Sequence, residues 1–133
     1  EYRLMRAIAH AFIFHSLDRS DCEPTNLSVG FWLLSRVYST LGRGAAAMKY
    51  ANESIETSES AGLPLFYLGY AFEAGARAAG ILNDKEQFEK YHTAAQKALE
   101  EVTDPEERAL LQPDIEELHL KSKSEQASGG NPV

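Results

Sequence analysis

Apolar residues recur along the chain at spacings of three and four, and no stretch alternates strictly between apolar and polar. That periodicity belongs to amphipathic helices, so the expected fold class is all-α. One helix is expected from about Arg3 to Leu17, with Leu4, Ile8, Ala11, Phe12 and His15 along one side. Beyond the polar connector DRSDCEPTN, Pro24 and Thr25 open a second. It carries Phe31, Leu34, Tyr38 and Leu41 on one face and stops at Gly42, the residue best able to adopt a left-handed cap. A third spans about Gly44 to Ser60. Pro64 suits a first turn and disfavours helix just before it, so a fourth follows and runs to about Leu82. Asp84 is the expected N-cap of a fifth, which holds Phe88, Tyr91, Ala95, Leu99 and Val102 at helical spacing. Asp104-Pro105-Glu106-Glu107 combines a cap, a first-turn proline and early acids to start a sixth, which Pro113 is expected to bend or interrupt. Tyr38, Leu41, Phe72 and Leu82 are the expected core residues. The result is a single domain over residues 1–120, followed by a flexible polar tail, 121–133, with no large apolar residue before Val133.

Sliding residues 31–59 onto 72–100, a shift of 41, superimposes Phe31, Arg36, Leu41, Lys49, Tyr50 and Glu59 on Phe72, Arg77, Leu82, Lys90, Tyr91 and Glu100. The two segments break at the same place, Gly42-Arg43 against Asn83-Asp84, so helix pairs repeat. In the first pair, Phe31, Leu34, Ser35, Tyr38, Gly42 and Ala47 follow a pattern of large apolar, Leu, small, Tyr, Gly at the turn and Ala early in the next helix. On those residues the chain resembles the tetratricopeptide repeat family. The second pair departs further: Phe72, Gly75, Ala76, Ala79, Asn83 and Ala95 are compatible, but Phe88 stands where a small residue is expected, which implies a different helix spacing there. A repeat of 41 and not about 34 implies helices longer by roughly a turn. SRVYSTLGR and YAFEAGARAAG also look like segments of a group of bacterial helical-repeat proteins of unknown function. The resemblance implies antiparallel hairpins stacked as a short right-handed superhelix, with a concave groove that holds a peptide or a partner's helix.

If Phe31, Leu34, Tyr38, Phe72, Gly75 and Ala79 pack between helices, the adjoining stripe of Trp32, Arg36, Ser39, Tyr70, Glu73 and Arg77 lines that groove. Arg36 and Arg77 occupy equivalent repeat positions, about one helix spacing, roughly 10 Å, apart. Two guanidinium groups beside Trp32 and Tyr70 suit an acidic group of a partner peptide. The competing outcome is that Glu73 and Arg77, spaced i,i+4 in the favourable order, pair along their own helix and leave only a solvated face.

Composition narrows the classes further. A formal charge of −7 argues against nucleic acid as a partner. Residues 83–117 account for all of it, with eleven acids against four bases. No apolar run approaches the roughly 18 residues of a membrane span. Cys22 is the single cysteine, which fits a cytoplasmic setting, and it lies between Asp21 and Glu23, which disfavour a reactive thiolate. His10 and His15 are i,i+5 and diverge around a helix, too far for a two-histidine metal site. GxSxG and Gly-rich phosphate loops are lacking. The expected function is therefore a non-catalytic binding module for a protein or peptide partner, with no cofactor. One alternative is a small-molecule or metal-dependent sensor or enzyme using His10, His15, Arg36, Glu73 and Arg77. Another is a self-associating structural domain, such as a homodimer, that covers the open end of the stack.

Overall fold

The computed structural model describes residues 23–119, and every regular element among them is an α-helix. In chain order these are α1 (Pro24–Thr40), α2 (Gly44–Ser60), α3 (Leu65–Leu82), α4 (Lys85–Glu101) and α5 (Pro105–Glu116). The helix expected over residues 3–17, His10, His15, Cys22 and the tail from residue 121 lie outside the described residues.

Local chemistry sets the boundaries. Gly42 takes φ +75° and Asn83 φ 55°, both in the left-handed region that lets a chain leave a helix. Around them the same bonds recur 41 residues apart. Gly42 N donates to Ser39 O and Arg43 N to Tyr38 O, while Asn83 N donates to Gly80 O and Asp84 N to Ala79 O. The Asp84 carboxylate accepts from Gln87 N, and Asp104 accepts from Glu106 N and Glu107 N, so both expected N-caps form. Arg108 closes the other end of α4 by donating to the carbonyls of Leu99 and Val102.

α1 packs on α2, α2 on α3 and α3 on α4, as successive hairpins must; α1 also touches α3, and α5 lies against α3 and α4. The repeat survives in side-chain detail, since Lys49 sits over the Tyr50 ring at 5.3 Å and Lys90 over Tyr91 at 5.5 Å.

The core differs from the expected one. Leu82 is 46% exposed, and Tyr38, Leu41 and Phe72 are only half-buried. Leu82 and Leu41 sit at the open hairpin tips, where Leu82 caps the start of α2 at Gly44. The interior is built on small residues, with Ala47, Ala51, Ala71, Ala74, Ala76, Ala78, Ala79 and Ala95 fully buried, and on Leu34, Phe88, Tyr91, Leu111 and Ile115. Small residues let helices approach closely, so the bulky side chains needed to fill the interface are few.

Gly75 marks a close approach between α3 and α4. A Cβ there would lie 3.0 Å from the Tyr91 ring, whose hydroxyl donates to Asn52 at 2.7 Å and fixes the ring in place. Gly75→Val is expected to cost about 1–3 kcal/mol by overpacking. A urea midpoint unchanged from wild type would show that the ring yields freely.

Pro113 does not interrupt α5, which runs through it to Glu116. The amide it removes would have served the carbonyl of Ala109, an exposed residue whose oxygen water can satisfy.

Candidate functional site

The contact of α1 with α3 brings five of the six stripe residues into one network centred on Glu73. This carboxylate is fully buried. Its Oε2 accepts from Arg77 Nε at 2.8 Å and Arg77 Nη2 at 2.5 Å. Its Oε1 lies 3.5 Å from the Trp32 indole nitrogen, which donates to it, and 3.7 Å from Arg36 Nη1. Trp32 and Glu73 are themselves 41 residues apart, so they hold equivalent positions in successive hairpins. The Arg36 guanidinium stands over the Trp32 ring at 5.6 Å, and Tyr70 meets Trp32 edge-on at 5.4 Å.

The two arginines thus converge on an acidic group, and that group belongs to the chain itself. Glu73 draws both head groups inward, closer together than one helix spacing. Glu73 is a buried support for the arginines and not part of an exposed groove wall. Tyr70 is likewise committed, for its hydroxyl donates to Asp114 Oδ2 and to Leu110 O, both at 2.9 Å, and pins α5 to α3.

Burial pushes the Glu73 carboxyl above the ordinary carboxylate range; Arg77, Arg36 and the bonds from Arg77 and Trp32 oppose the shift without cancelling it. For Arg77, burial works against the charged form, but Glu73 and Glu117 outweigh it and hold the group above its usual value. Burial is also the main cause that raises Tyr70, and Asp114 adds to it.

Beside this network lies a cleft of about 620 Å³ walled by the ends of α1 and α3 and the turn after α5. Arg36, Ser39 and Arg77 line it, together with Glu117, Leu118 and His119. The Ser39 hydroxyl is shielded from water and has no hydrogen-bond partner among the described residues. Arg77 reaches the cleft already engaged, with Glu117 Oε1 at 2.9 Å. Arg36 has more to offer, because among the described residues its guanidinium makes no hydrogen bond at shorter range than the 3.7 Å ion pair.

Three of the six expected residues therefore line the cleft, and Trp32, Tyr70 and Glu73 support them from behind. Glu117, Leu118 and His119 were not expected at the site. Glu117 belongs to the acidic block of residues 83–117, and only the fold carries it back to Arg77. A signal was present in Gly80, a glycine inside the helical pattern of α3. A Cβ there would stand 2.8 Å from the His119 carbonyl, so the chain after α5 runs directly across α3 at that point.

Among the described residues no group of three or more His, Cys, Asp or Glu side chains is placed to hold a metal ion. Among the same residues no helix is long and apolar enough to cross a membrane. Comparison of the chain with protein-family models, curated proteins and solved structures found no match.

Proposed function

We propose that the chain is a TPR-like helical-hairpin repeat acting in the cytoplasm as a non-catalytic binding module. Its partner is a protein or peptide that presents an acidic group to the cleft beside Arg36. Support for the repeat comes from helix starts that recur after 41 residues, Pro24 with Leu65 and Gly44 with Lys85, and from turns that repeat bond for bond. Support for binding rests on one observation: a cleft of ligand size is lined by a guanidinium that the fold holds in place without using up its donors. The Trp32 face and the Glu73 carboxylate orient Arg36. Such preorganisation reduces the entropy lost when an acidic group docks.

Trp32 is the single tryptophan, so its emission reports on the site directly. Titration of a short Asp- and Glu-containing peptide, acetylated and amidated at its ends, is expected to perturb that emission saturably. Arg36→Ala is expected to weaken binding about tenfold or more, the loss of a charge-assisted contact in a sheltered site. Equal binding by both proteins, or by neither, overturns the proposal.

A further inference from the structure

The end of α5 places one carboxylate of the chain, that of Glu117, in the cleft itself. We propose that Glu117 is an internal competitor for the binding site, occupying on Arg77 a position that the acidic group of a partner takes when it docks. The inference rests on the binding function proposed above and adds to it a built-in opposing contact.

Arg77 Nη2 is shared between two carboxylates of opposite character. Glu73 holds it at 2.5 Å from a fully buried position and has no route to water. Glu117 holds it at 2.9 Å with 57% of its side chain exposed, so it can leave and be rehydrated at little cost. Arg36, Ser39, Arg77 and Glu117 all face the one cleft, so a ligand oxygen seated near Arg36 meets Glu117 across it. Two carboxylates cannot share that space without repulsion. Exchange of one for the other keeps the charge on Arg77 balanced.

The rest of α5 need not move. Tyr70 holds it through Leu110 O and Asp114, while Leu111 and Ile115 are buried beneath it. Glu117 comes after these anchors, as the C-cap residue, and a rotation of its side chain alone vacates the position.

The test uses the same capped acidic peptide with the full chain, Glu117→Gln and Glu116→Gln. Glu116 is the exposed neighbour, paired with Gln112 and absent from the cleft wall, so its replacement changes the net charge equally without touching the site. Glu117→Gln is expected to tighten binding about three- to fivefold at low salt, the range that an exposed ion pair can withhold, with the gain fading as salt rises. Glu116→Gln is expected to leave affinity within about a factor of 1.5, since long-range repulsion is mostly screened. Equal tightening in both variants assigns the effect to net charge and overturns the competitor role. Unchanged or weaker binding by Glu117→Gln, with Arg36 still required, overturns the competitor role and leaves the binding site standing. Absence of binding in every protein overturns both.

Discussion

Glu73→Ala is expected to destabilise the protein by about 3–5 kcal/mol, the cost of removing one partner from a buried ion pair. Arg77 would keep Glu117 on its solvent side but would lose both bonds to the Glu73 oxygen, and Trp32 would lose the acceptor of its indole. The same carboxylate also links α1 to α3, because Trp32 and Arg36 come from one helix and Glu73 from the other. Glu73→Gln keeps the shape and one acceptor, so its cost is expected to be smaller, about 1–3 kcal/mol. Its pH dependence carries further information. Burial raises the pKa of Glu73 in the fold, so the folded chain holds this proton more tightly than the unfolded chain does. The stabilisation from this group is therefore fully present below the unfolded value of about 4.3 and declines as pH rises toward the folded value. The stability gap between wild type and Glu73→Gln should narrow from about pH 4 to pH 7 in urea titrations. A gap that widens over this range would mean that the arginines outweigh burial.

How much of this was legible depends on the range of the interaction that decides each feature. Boundaries at Gly42, Asn83, Asp84 and Asp104 follow from a residue and its immediate neighbours, and the helices begin or end where those residues indicate. The i,i+4 pair of Glu73 and Arg77 is local as well, and it forms. Burial depth is not local. The periodic pattern weights large apolar residues, yet Leu82 falls at a hairpin tip while alanines fill many of the fully buried positions. Nothing in the pattern states that Ala47 or Ala71 is fully enclosed, because an alanine is compatible with either face of a helix. The site follows the same rule. Equivalence under the repeat shift placed Arg36 and Arg77 together, but that Glu73 is buried beneath both requires α1 to lie across α3. Glu117 requires α5 to fold back as well, which no repeat signal indicates.

That return of α5 rests on Leu111, and Leu111→Ala is expected to cost about 2–5 kcal/mol. Leu111 is fully buried, and a Cβ on Gly69 of α3 would stand 2.7 Å from its Cδ2, so its side chain fills the space that the glycine leaves open. Removing it leaves a void lined by α3 that glycine cannot fill, and the transfer and cavity costs then act together. Leu110, the preceding residue, is 61% exposed and provides the matched comparison. Leu110→Ala removes the same atoms from water-facing surface and is expected to change stability by no more than about 0.5 kcal/mol. Equal losses at both positions by chemical denaturation would mean that α5 presents a different face to α3. The consequence reaches the cleft, because Glu117, Leu118 and His119 are placed there only while α5 is docked. In Leu111→Ala, Trp32 fluorescence should therefore respond to acidic peptide as in Glu117→Gln, with weakened docking of α5 releasing the internal carboxylate from Arg77.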